Sequence, residues 1–161
     1  MSKHRAILPL KYYDAQGRIQ PNRLLYLSLL FLMRGYLVFI ASLSYRQDPS
    51  LILSLFYPDK GYFYFSLLLG LPALIIIGMV FWRHKLFDTR ARRLFSAVRV
   101  LVILSLVVDA AFHVLMAHHG HWQFSWLIAL TLLLDLLFVL YWYRSQTLRL
   151  MLRDWYRPPV I

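Results

Sequence analysis

Apolar residues in this chain run in blocks. Four stretches stand out, about 24–44, 62–82, 98–117 and 122–143. Each is close to the ~20 residues a helix needs to cross a bilayer core. The pattern predicts an all-α fold, a polytopic membrane protein whose four transmembrane helices form a bundle of up-down antiparallel topology. The whole chain, 1–161, reads as one domain. It has a basic segment over 1–23 and a basic amphipathic tail over 144–161.

The connections are uneven. "DAQGRIQP" (14–21) is rich in turn formers, and Pro21 suits a helix start. Gly70 and Pro72 are expected to kink or loosen the second span. Between spans one and two, "SLILSLF" (50–56) is apolar but too short to cross, and reads as a short interfacial helix. Only "HHGH" separates spans three and four, so those helices are expected to form a tight antiparallel hairpin. The tail "RSQTLRLMLRDWYRPP" reads as a basic amphipathic helix on the membrane surface, stopped by Pro158 and Pro159. Tyr62, Tyr64, Trp82, Trp122, Trp126, Tyr141, Trp142 and Tyr143 sit at span ends, as an interfacial aromatic belt does.

Composition agrees. Hydrophobic residues make up 60% of the chain, against roughly 45–50% in a soluble domain. The net charge is +11, with seven Asp and no Glu. In a soluble chain that excess would suggest nucleic acid. Beside four spans it marks cytoplasmic loops, and no nucleic-acid partner is expected. Lys and Arg number five in 1–23, five in 83–93 and four in the tail, but two in the first loop and none in the last. Both termini are therefore expected in the cytoplasm, in a bacterial inner membrane. The first span follows a basic segment, contains Arg34 and is too long for a cleavable signal, so it is expected to stay as an anchor. The basic residues Arg83, Lys85, Arg90, Arg92, Arg93, Arg144, Arg149 and Arg153 are expected to contact anionic headgroups. Cysteine is absent, which excludes disulfides, iron–sulfur clusters and thiol catalysis.

Four ionisable residues lie deep in the spans: Arg34, Asp109, His113 and Asp135. Each such charge costs roughly 2.5–3.5 kcal/mol at mid-bilayer. Arg34 lies about 15 Å into span one, and Asp135 about 12 Å from the end of span four, at ~1.5 Å per residue. A hairpin folded about Gly120 puts the two carboxylates one turn apart, roughly 6 Å, and one folded about Trp122 puts them level. Ser105, Asp109 and His113 recur at four-residue spacing, as do Thr131 and Asp135, so each set shares a helix face. Ser66 and Gly70 form a small-xxx-small pair that admits a close neighbour. One guanidinium beside two carboxyls predicts that one carboxyl is protonated or that His113 is cationic. Such a cluster either locks the assembly or relays a proton or ion. The lock is favoured, because one arginine with few other polar groups makes a poor aqueous path.

His118, His119 and His121 could ligate zinc, copper or nickel, but their loop supplies no Cys, Asp or Glu. No phosphate loop, GxGxxG, nucleophile elbow or HExxH occurs, so no cofactor and no enzyme activity are expected.

Several motifs taken together resemble the YfeZ-like family of small proteobacterial inner-membrane proteins. They are Tyr13, Asp14, Gly17 and Pro21; Arg34; Phe56 to Asp59; Gly70 and Pro72; and Asp135, Arg144 and Ser145. The likeness runs through nearly the whole chain in order. Gly35–Tyr36 departs from it, where the family favours proline and tryptophan. The family's function is unknown, so the resemblance implies location and topology and supplies no catalytic residues. The expected role is a non-enzymatic accessory or interaction protein with a membrane-protein partner, a second copy or lipids. The alternative is a small proton-coupled transporter or permeability factor using Asp109, His113 and Asp135.

Overall fold

The computed structural model describes residues 19–45, 53–54, 56–57, 60–83, 85, 94–119 and 126–156. Its elements are α1 (Arg23–Leu32), α2 (Arg34–Ser44), α3 (Lys60–Phe81), α4 (Phe95–His119), α5 (Trp126–Arg144) and α6 (Gln146–Tyr156). Helices α3, α4 and α5 are each long and apolar enough to cross a membrane. Helices α1 and α2 make a further crossing if counted together. Of the 50–56 segment, Leu53, Ser54 and Phe56 are helical, and its other residues lie outside the described set.

Two features differ from the sequence reading. The stretch expected as one span over 24–44 is broken at Met33, and its halves meet at a 65° bend. Helix α3, in contrast, runs as one helix through Pro72. The amphipathic tail also differs. The apolar face of α6 does not rest on acyl chains: Leu148, Met151, Leu152 and Trp155 are buried in the protein core. Ser145 caps α6 by accepting a hydrogen bond from the Leu148 N–H at 3.2 Å. Trp155 Nε1 donates to the Ile19 carbonyl at 2.9 Å, and the Ile19 N–H donates to Asp154 Oδ2 at 3.2 Å. The segment entering α1 is thus clamped on both main-chain groups by α6.

The distribution of polarity is inverted relative to a soluble domain. Asp109 and Asp135 are buried, with Ser28, Ser66 and Ser105. Leu133, two residues from the fully buried Asp135, is 52% exposed. Leu68, Ile75, Leu104, Leu130 and Leu137 are also exposed. An outer surface of this kind is stable only against lipid. Inside, the core joins Leu25, Leu29 and Leu32 of α1 to Ala73, Ile76 and Val80 of α3, Val98, Val102 and Leu106 of α4, and Trp142 of α5. Trp142 belongs to that core and not to the aromatic belt. It is fully buried, and its Nε1 donates to Ser28 Oγ at 2.8 Å. Trp82, Trp126, Tyr64 and Tyr143 remain exposed near helix ends.

Candidate functional site: an arginine at a helix break

The break at Met33 and the placement of Arg34 have one physical origin. A bend removes regular main-chain bonds and leaves carbonyls that lipid cannot satisfy. Arg34 Nη1 donates to the Phe31 carbonyl at 3.3 Å. Its guanidinium carbon lies 4.7 Å from the Phe31 ring centroid, and Phe31 packs on Phe138 of α5 at 5.3 Å. The arginine thus repairs the break that it follows.

The bend fits against α3 because both surfaces are small there. A Cβ built on Gly35 would lie 2.6 Å from Ser66 Oγ. One built on Gly70 would lie 2.9 Å from the Tyr36 ring and 3.0 Å from the Leu32 carbonyl. Ser66 and Gly70 therefore receive the bend itself, and that contact sets the height of Arg34.

From this position Arg34 reaches α4. Nη2 donates to Asp109 Oδ1 at 2.8 Å and lies 3.4 Å from His113 Nε2. His113 Nδ1 is 2.9 Å from the Asp109 main-chain carbonyl. A carbonyl oxygen only accepts, so Nδ1 carries the hydrogen. Nε2 then accepts from the guanidinium, and the imidazole is neutral. A cationic His113 would set an Nε2 hydrogen against the guanidinium at that distance.

Asp135 of α5 stands beside this group without entering its hydrogen bonds. One ligand atom from each of Asp109, His113 and Asp135 lies within 4.8 Å of the others. Asp135 Oδ1 and Oδ2, and Asp109 Oδ2, are buried with no hydrogen-bond partner among the described residues. The trio is poorly arranged for a metal. One imidazole nitrogen holds a hydrogen and the other faces a guanidinium, whose charge opposes a cation.

A cavity of about 130 Å³ adjoins the cluster on the side of the α4–α5 connection. Arg34, Tyr57, Asp109, His113 and Thr131 are among its polar lining, and Phe112 and Met116 among its apolar lining. Asp135 is not among the lining residues.

Ser105 is buried one turn before Asp109, whereas Thr131 donates to the Leu127 and Ile128 carbonyls of its own helix, at 3.1 and 2.9 Å. His118 is exposed; the His119 side chain and His121 lie outside the described residues. Of the basic set, Arg90, Arg92 and Arg93 also lie outside them, and Lys85 and Arg144 are exposed. Arg83 faces the Trp155 ring at 5.9 Å. Sequence reasoning missed Tyr57, whose hydroxyl is 2.8 Å from Ser66 Oγ. The signal was present in the Phe56–Asp59 motif, but nothing in its spacing tied it to span two.

Comparison with known proteins now bears on the site. A family described as "Protein of unknown function (DUF2919)" matches residues 8–154. The chain belongs to this family. It is also 36% identical over 64 residues to the inner membrane protein YfeZ of Escherichia coli strain K12. That match covers 40% of this chain and 43% of the relative, so it spans under half of either. No solved structure matches. Family, relative and apolar helices together make this a multi-pass inner-membrane protein of a YfeZ-like family whose function is unknown.

Proposed function

We propose that this is a non-enzymatic accessory protein of the inner membrane, in which Arg34 and Asp109 lock a bent first span onto a helical hairpin. In this reading α1 and α2 make one crossing and the protein is a four-helix bundle. Contacts support an up-down order, since Arg99 near the start of α4 reaches the end of α5, and Ser28 and Phe31 of α1 meet Trp142 and Phe138 of α5 in reverse order. The uneven Lys and Arg counts put both termini in the cytoplasm.

The observation that carries the lock is the layer between the polar cluster and the basic end. Leu25, Leu29, Ile76, Val102, Leu106 and Trp142 fill it, all 2% exposed or less. Buried hydroxyls are few there, and Ser28 among them is engaged by Trp142 Nε1 and by the Leu25 carbonyl, so the cluster suits a fixed joint better than a conduit. The accessory role is tested by purifying the full chain in mild detergent. A stoichiometric protein partner supports it. A partnerless monomer whose vesicles leak protons, and stop doing so on Asp109→Asn, overturns it.

A second reading rests on the three carboxyl oxygens that have no hydrogen-bond partner among the described residues. One guanidinium and two carboxylates leave the cluster one positive charge short, and a shared proton between Asp109 and Asp135 supplies it. A protonated-carboxyl stretch in the infrared that disappears in Asp135→Asn supports this. Two ionised carboxylates at neutral pH refute it.

A further inference from the structure

At the opposite end of the bundle, a second cavity of about 190 Å³ opens between α4 and α6. Phe95, Ser96, Arg99, Arg149, Leu152 and Arg153 line it. Its charge is the unusual feature. Arg99 Nε donates to the Trp142 carbonyl at 3.1 Å, and Arg99 Nη2 to the Tyr143 carbonyl at 2.9 Å. Arg149 Nη2 donates to that same Tyr143 carbonyl at 3.0 Å. Two guanidinium groups therefore converge on one oxygen, and Arg153 joins them one turn along α6.

Like charges at this separation repel unless an anion sits between them. Among the described residues the acids are Asp109, Asp135 and Asp154. The first two belong to the buried cluster, and Asp154 accepts from Ile19. The cavity also sits at the first turn of α4, a 25-residue helix whose N-terminal dipole adds to the positive field. Main-chain bonds at the end of α5 hold Arg99 and Arg149 in place, which spares an anion the cost of ordering them.

We infer that this cleft is a binding site for the phosphodiester of an anionic phospholipid, with Arg99, Arg149 and Arg153 as its donors. A lipid, and not a free anion, fits the surroundings. The exposed Tyr143 stands at the helix end where headgroups lie, and apolar Val100 and Leu101 are exposed just beyond the cleft to receive an acyl chain. The inference builds on the membrane reading alone and is independent of whether the Arg34 cluster locks or carries a proton. It sharpens the general headgroup attraction of the tail into one site that includes Arg99, which lies at the start of the 98–117 apolar block.

The test is native mass spectrometry and thermal unfolding of the full chain in detergent. Phosphatidylglycerol, phosphatidylcholine or inorganic phosphate is added in turn. Phosphatidylglycerol is expected to be retained at one per chain and to raise the unfolding temperature, with phosphatidylcholine and phosphate well behind. Arg149→Gln with Arg153→Gln is expected to weaken that binding about thirtyfold, roughly a factor of five for each cation. The charge-matched pair Arg23→Gln and Arg144→Gln, exposed and outside the cleft, is expected to change it little. Arg153→Gln alone repeats the test should the double variant unfold. Equal loss in the two double variants means diffuse attraction and overturns the site. Equal binding of phosphatidylcholine, or of free phosphate, overturns the lipid assignment.

Discussion

Replacing Arg34 by methionine removes the charge but keeps much of the side-chain length. Asp109 would stay behind with its side chain 2% exposed and its Oδ1 partner gone. Breaking a buried pair by removing one member costs about 3–5 kcal/mol. The Arg34 side chain is 21% exposed, toward the cavity, which places the cost at the lower end, ~3 kcal/mol. Loss of the bond to the Phe31 carbonyl adds about 1 kcal/mol. In Arg34→Met with Asp109→Leu no charge of this pair remains, so most of the penalty should return. The assay is a double-mutant cycle read by unfolding in a mixed detergent–SDS titration, followed by loss of helicity. A coupling of at least ~2 kcal/mol is expected. If the single costs add within ~0.5 kcal/mol, Arg34 is tolerated by reaching water and not by pairing, and the lock is refuted.

Other perturbations probe the same architecture. Gly35→Ala forces a methyl against Ser66 Oγ, at 2.6 Å before relaxation, and should destabilise by about 1–3 kcal/mol in the same titration. Gly78→Ala meets nothing closer than the Trp82 ring at 3.9 Å, so it should be neutral or stabilise by up to ~1 kcal/mol. Ser28→Ala leaves the fully buried Trp142 Nε1 without its acceptor. It should cost about 1–3 kcal/mol and shift the tryptophan emission. Ser145→Ala removes the α6 cap and should cost about 1 kcal/mol. Its sign is faster hydrogen exchange confined to 146–156, with the spans unchanged.

The blocks of apolar residues were enough to find α3, α4 and α5 and the outer limits of the segment that holds α1 and α2. The four-residue spacing of Asp109 and His113 put both on one face, and their exposure follows that face. Legibility stopped where a span is apolar on every side. In "LLYLSLLFLMRGYLVFIASLS" only Arg34 and Gly35 depart from the pattern beside Met33, and neither residue type by itself marks a break, since both also occur within unbroken membrane helices. Trp142 read as a belt residue for a related reason: at a span end, periodicity does not say whether an indole turns outward or inward.

The sequence by itself determined that this chain lies in a membrane, how many apolar segments it has, and that four ionisable residues must be shielded within them. Only the tertiary structure decided that Arg34 pairs with Asp109 and leaves Asp135 without a hydrogen bond among the described residues, that the first apolar segment bends, and that α6 turns its apolar face to protein. The reason is that lipid is as apolar as the helices, so burial of leucine does not choose a partner face. Close approach chooses it, at Gly35, Ser66 and Gly70, together with the few polar groups that need one another. Those pairings join residues far apart along the chain, and no local pattern records them.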